Sequence, residues 1–127
     1  MMKRRVLIVD DEPYILRILS FKLRRQGYDT SEAASAIEAE ALLEAESFDL
    51  LLLDVGLEES TSGFDLADRL RARPATRTLP IILLTARSLA SDILRGREVG
   101  ADGYVTKPFS TEELIQRVAA LIGPSAE

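Results

Sequence analysis

The chain has 127 residues, 46% of them apolar and 29% charged, with a formal net charge of −5 and a mean hydropathy of +0.04. That length suits one domain able to bury roughly two-thirds of the surface its unfolded form exposes, and the composition is neither that of a disordered chain nor that of a membrane protein. Cysteine and histidine are both absent, which excludes disulfides, thiol nucleophiles, zinc sites built on these residues and serine-histidine triads.

The N-terminus, MMKRRVLIVDDEP, starts basic, but its apolar run is four residues long and then meets acids. This is neither a signal peptide nor an anchor, so a cytoplasmic location without membrane contact is expected. Only Lys3-Arg4-Arg5 is a basic cluster, and direct nucleic-acid binding is not expected of a chain without a basic face. Short apolar runs then alternate with amphipathic stretches five times, the pattern of a parallel sheet covered on both faces. The predicted strands are 5–10, 28–33, 49–54, 79–85 and 103–107. The first, third and fourth are apolar throughout, as central strands buried on both sides are.

The first helix follows Asp11 as a candidate cap, with Pro13 in its first turn and Ile15, Ile18, Leu19 and Leu23 on one face, and ends at Arg24-Arg25-Gln26-Gly27. The second and fifth open with the capping-box sequences SAIE (Ser35, Glu38) and STEE (Ser110, Glu113). The third starts near Gly63 and stops before Pro74. The fourth spans 89–99 with Gly96 inside it, at a cost of about 1 kcal/mol relative to alanine. One domain over 1–123 is expected, with 124–127 a tail or the start of a linker.

In a parallel sheet the C-terminal ends of the strands share one edge, where open α/β folds bind their ligands. The first strand ends in Asp10-Asp11, the third in Asp54, the fourth in Thr85 and the fifth in Lys107. Carboxylates gathered at one edge repel one another and lose hydration unless a cation neutralises them. Oxygen-only ligation suits Mg²⁺. A lysine and a hydroxyl beside them add donors for anionic oxygens. The set reads as a carboxylate nucleophile that takes a phosphoryl group, with metal and lysine holding the transferred charge. Taken singly, each residue has an ordinary role: Asp11 as a helix cap, Asp54 as a loop acid, Thr85 as a β-former, Lys107 as a turn residue before Pro108. Their conjunction at four strand ends carries the functional reading.

At VLIVDDEP, DLLLLDV, IILLTA and GADGYVTKPF, in that order, the sequence resembles the response-regulator receiver domains, the phosphorylatable modules of two-component signalling, over essentially its whole length. The resemblance implies a flavodoxin-like, doubly wound α/β fold: a five-stranded parallel sheet of order 2-1-3-4-5 with five helices in three layers. It implies that Asp54 accepts the phosphoryl group as an acyl phosphate. Asp11 and Asp54 would ligate Mg²⁺ (or Mn²⁺), with the backbone carbonyl of Gly56 as a third ligand and Asp10 acting mainly through a metal-bound water. Lys107 would pair with the phosphoryl oxygens, Thr85 would hydrogen-bond one of them, and Tyr104 would be the aromatic switch residue. The Lys107-Pro108 bond matches one often cis in the family. The implied partners are a histidine kinase or histidine phosphotransfer protein, a downstream effector or output domain, and a second copy through the face of the fourth helix, fifth strand and fifth helix. The role is regulatory, with at most self-catalysed phosphotransfer and dephosphorylation.

The segment DVGLEESTSGFD departs from the family pattern: Glu58 stands where proline is expected, and Gly63 lies nine residues past Asp54, one more than expected. Gly56 presents no side chain to obstruct water, which predicts faster loss of phosphate than a bulky residue there. Two other readings compete. A haloacid-dehalogenase-type aspartyl-phosphate hydrolase also uses strand-end aspartates, a hydroxyl, a lysine and Mg²⁺, but DDEP lacks its aspartate-any-aspartate spacing and no residues remain for a cap domain. A flavodoxin-like cofactor module needs a hydroxyl- or glycine-rich phosphate loop after the first strand, where this chain places two acids that repel phosphate.

Overall fold

A computed structural model describes residues 3–57, 62–86 and 90–123, without the side chains of 90–92. Glu58 and the loop around it, the expected helix start at 89 and the tail 124–127 lie outside the described residues. Strand and helix alternate as β1 (Arg5–Val9), α1 (Pro13–Arg25), β2 (Asp29–Ala33), α2 (Ala36–Ala45), β3 (Leu50–Asp54), α3 (Gly63–Ala72), β4 (Ile81–Thr85), α4 (Ala90–Glu98), β5 (Gly103–Thr106) and α5 (Thr111–Ile122). The strands form one sheet of order β2-β1-β3-β4-β5, every pair parallel. No helix among the described residues is long and apolar enough to cross a membrane.

The strands read as central are central, because an unbroken apolar run is stable only where both faces of the sheet are covered. Alternate residues of β1, β3 and β4 divide between two cores. Leu7, Val9, Leu51, Leu53, Ile81 and Leu83 pack with α2 and α3. Val6, Ile8, Leu50, Leu52, Ile82 and Leu84 pack with Leu16, Leu19 and Leu23 of α1 and Leu114 and Val118 of α5.

The helix starts differ in part from the sequence reading. The cap of α1 is Glu12, not Asp11. Asp10 explains the shift: its Oδ1 accepts the Glu12 N–H at 2.9 Å, a local turn that carries the chain one residue further before the helix begins. In α2, Ser35 accepts from the Glu38 N–H at 3.1 Å, while the Glu38 carboxylate returns to the Ala34 N–H. Ser110 likewise accepts from the Glu113 N–H at the start of α5. A complete capping box opens α3 between Ser62 and Asp65, present in the sequence as serine-any-any-acid.

Two glycines are set by close approach. A Cβ on Gly63 would lie 2.3 Å from the backbone carbonyl oxygen of Asp54, so α3 begins directly against the end of β3. A Cβ on Gly96 would lie 3.1 Å from the Tyr104 ring and 3.3 Å from Leu83. The glycine inside α4, a defect by helix propensity alone, is the notch in which the ring of Tyr104 lies. At the opposite end of the sheet Arg71 ties three segments together, donating to the carbonyls of Arg77, Leu79 and Gly100 at 3.1, 2.6 and 2.8 Å.

Candidate functional site

Strand register brings the polar strand ends together. Val9, Leu53, Leu83 and Tyr104 form one row across the sheet. By the two-residue repeat of a strand, Asp10 and Asp54 continue the α1/α5 side of β1 and β3, and Lys107 continues the line of Val105 on the same side. Thr85 follows Leu83 on the opposite side. The groups meet in a cleft of about 780 Å³ whose walls include Asp11, Glu12, Asp54, Gly56, Thr85 and Lys107. Asp10 lies beneath it, fully buried, with Asp54 and Thr85 almost as inaccessible.

Lys107 is the hub of the cleft. Its Nζ donates to Asp10 Oδ2 at 2.8 Å and to Glu12 Oε1 at 3.0 Å, and stands 3.6 Å from Asp54 Oδ1. The same Asp54 oxygen accepts the Gly56 N–H at 3.2 Å. Burial first, and then the charge of Asp10, push the Asp54 carboxyl up to about 6, against the pull of Lys107 and the Gly56 N–H. Burial also raises Asp10, despite its bond to Lys107. For Lys107 burial alone would favour the neutral amine, but its bonds to Asp10 and Glu12 and the charge of Asp54 outweigh it, and the ammonium is held charged well above the ordinary lysine range.

Of the residues singled out in the sequence, Asp10, Asp11, Asp54, Gly56, Thr85 and Lys107 gather at this edge. The Lys107-Pro108 peptide bond is cis. Tyr104 stands apart from the cleft, half-buried against α4. Two cleft residues were missed. Glu12 reads in sequence as an ordinary first-turn acid, and nothing in its spacing reveals that it meets Lys107. Arg95 of α4 lines the rim, with its guanidinium paired to Asp68 and 5.8 Å from the centre of the Phe64 ring; one of the two arginines of α4 carries no mark of its own in the sequence.

The donor set fits a hard divalent cation. Asp10, Asp11 and Glu12 each offer a carboxylate oxygen, all within 4.8 Å of one another, next to the Asp54 carboxyl, which burial first and the neighbouring charge of Asp10 second push up. Oxygen donors alone, on carboxylates that repel one another, are what Mg²⁺ takes.

A parallel α/β sheet of order 2-1-3-4-5 with an acidic, lysine-bridged cleft at its C-terminal edge defines a flavodoxin-like domain. Residues 6–119 match the family described as response regulator receiver domain, and the chain belongs to that family, the receiver modules of two-component signalling. It is 43% identical over 118 residues to the phosphate regulon transcriptional regulatory protein PhoB of Rhizobium meliloti, covering 93% of this chain and 52% of that protein. Among solved structures it is similar to the chemotaxis protein CheY4 of Vibrio cholerae, with TM-score 0.89, 30% identity and coverage of 94% and 99%. The non-phosphorylated HemR receiver domain of Leptospira biflexa superposes with TM-score 0.87, 34% identity and coverage of 98% of each chain. The chain spans about half the length of the curated relatives it matches. The haloacid-dehalogenase-type reading finds no support among these matches.

Proposed function

We propose that Asp54 is the phosphoacceptor of this receiver domain and that Lys107, Thr85 and a divalent cation stabilise the phosphoryl group it takes. The observation that carries the reading is the position of Lys107: a permanently charged ammonium, 3.6 Å from a buried carboxylate at the end of a central strand. With a pKa of about 6, Asp54 is mostly ionised at neutral pH and available as a nucleophile.

One Asp54 oxygen attacks phosphorus, the bond from phosphorus to the donor's nitrogen breaks, and the departing imidazole leaves with its electron pair and takes up a proton. The donor is a histidine kinase or histidine phosphotransfer protein, since this chain holds no histidine. Asp10, Asp11, Asp54 and the Gly56 carbonyl would hold Mg²⁺ (or Mn²⁺), which supplies charge neutralisation at the carboxylates and the phosphoryl oxygens. Lys107 places a fixed positive charge beside those oxygens, and the Thr85 hydroxyl, at the end of the neighbouring strand, donates to one of them. These contacts exist only in the phosphorylated state, so they shift an equilibrium between two conformations. The readout is the face of α4, β5 and α5, where Tyr104 sits in the Gly96 notch. That face addresses an output domain, a separate effector or a second copy of the chain. The domain is a cytoplasmic regulatory module whose own chemistry is limited to taking and losing the phosphoryl group.

Intact-mass measurement after incubation with Mg²⁺ and a small acyl phosphate tests the reading. One added phosphoryl group on the parent and none on Asp54→Asn supports it; an unmodified parent, or an equally modified variant, overturns it.

A further inference from the structure

The position that opens α1 is occupied by a poor capping residue. Serine, threonine, aspartate and asparagine are favoured there because their short side chains reach the orphan N–H groups of the first turn. Glu12 has the extended backbone of a cap (φ −93°, ψ 110°), yet its side chain makes no capping bond. Its backbone carbonyl accepts the Ile15 and Leu16 N–H groups at 3.0 and 3.2 Å. The carboxylate turns the other way and accepts from Lys107 Nζ at 3.0 Å.

A lysine ammonium has three donors. In this cleft one goes to Asp10 and one to Glu12, and the third is left for Asp54, the next carboxylate at 3.6 Å. A flexible four-carbon stem carries considerable rotamer entropy, and a single partner leaves the ammonium to rotate about that contact. Two partners on one side fix it. We propose that Glu12 is a positioning residue for phosphoryl transfer: with Asp10 it locks the Lys107 ammonium so that its remaining donor is aimed at Asp54, where the incoming phosphoryl oxygens arrive. The proposal rests on the assignment of Asp54 as the acceptor.

The competing explanation is electrostatic alone, a negative charge at the mouth of the cleft that repels an anionic donor. Glu12→Gln and Glu12→Ala separate the two, because both remove the charge and only glutamine keeps an oxygen that accepts from Nζ. Neither removes a capping bond, since Glu12 makes none, and circular dichroism checks that α1 is intact. The experiment measures the rate of phosphorylation by a small acyl phosphate across donor and Mg²⁺ concentrations. Positioning predicts that, at saturating donor, Glu12→Ala is slower than Glu12→Gln by about five- to tenfold, the scale of a modest misalignment, with the two sharing one Mg²⁺ dependence. Equal rates for the two variants overturn the proposal and leave the role of Asp54 standing.

A second measurement needs no phosphorylation. The ¹⁵N signal of the Lys107 ammonium is expected to show slowed proton exchange in the parent and in Glu12→Gln, and fast exchange in Glu12→Ala. An identical signal in all three proteins overturns the hold on Lys107. A parent that takes no phosphoryl group removes the acceptor assignment instead, a result distinct from either.

Discussion

The Nζ atom of Lys107 stands 3.6 Å from Oδ1 of Asp54, an ion pair that only partly offsets the burial of that carboxylate. The proton affinity of Asp54 is higher in the folded protein, about 6, than its ordinary value of 3.8. Between those values the folded state binds more protons than the unfolded state, so stability falls as pH rises through this window. The full penalty is present above about pH 6 and amounts to at most about 3 kcal/mol at 1.36 kcal/mol per unit. Asp10, also raised, adds a slope of the same sign. Urea melts in chelator are therefore expected to show the parent losing stability from pH 4 to pH 7, and Asp54→Asn to be the more stable protein at pH 7 with a shallower slope. A parent whose stability rises over this range would contradict the electrostatics of the cleft.

Gly63 lies so close to the end of β3 that alanine is expected to be poorly tolerated. Its Cβ would meet the Asp54 carbonyl oxygen at 2.3 Å and the Val55 Cα at 2.8 Å, and both are backbone atoms that yield only if the loop moves. Gly63→Ala is predicted to lose about 3 kcal/mol, at the upper end of overpacking costs, and to slow phosphorylation because the displaced backbone belongs to the proposed acceptor. Denaturant melts and phosphorylation rates check both; a variant of parental stability would show that α3 does not need this approach.

The Gly96 notch makes an additive prediction fail. In an exposed helix, glycine to alanine gains about 1 kcal/mol. Here the added methyl meets the Tyr104 ring at 3.1 Å and the Leu83 side chain at 3.3 Å, so the gain is expected to vanish in the parent and to return in part in a Tyr104→Ala background. A double-mutant cycle should give a coupling of about 1 kcal/mol. The same change in both backgrounds would mean that Tyr104 does not use the notch.

Gly56 borders the cleft, and a Cβ there would meet nothing within 4 Å. A side chain there meets no clash at its Cβ, and a large one beside Asp54 would stand in the path of water. Gly56→Met is predicted to keep the phosphoryl group several-fold longer, followed by the decay of the phosphorylated mass after the donor is removed. An unchanged decay would place the water's approach elsewhere.

The fold was legible because each central strand carried its own signature: the unbroken runs before Asp10, Asp54 and Thr85 mark strands buried on both faces, and their ends mark one edge. The meeting of Asp10, Asp54, Thr85 and Lys107 at that edge was legible for the same reason, since register carries the strand ends together. What could not be read was side-chain destination. Asp11 and Glu12 are both acids at the start of a helix, and only the turn made by the Asp10 carboxylate decides which of them caps α1 and which neighbour reaches Lys107. Gly96 looked like a weakness of α4 because propensity is local, whereas the ring that needs the gap arrives from β5. The capping box of Ser62 and Asp65 is carried by the sequence itself, directly around the glycine that opens α3.

The most direct test of the central claim maps the modified residue itself. After phosphorylation in Mg²⁺, borohydride reduces an aspartyl phosphate to homoserine, and peptide mass analysis locates the change. Conversion at Asp54, with Asp10 and Asp11 intact, is the predicted result; conversion at Asp10 or Asp11, or a phosphoryl group that withstands borohydride, would contradict it.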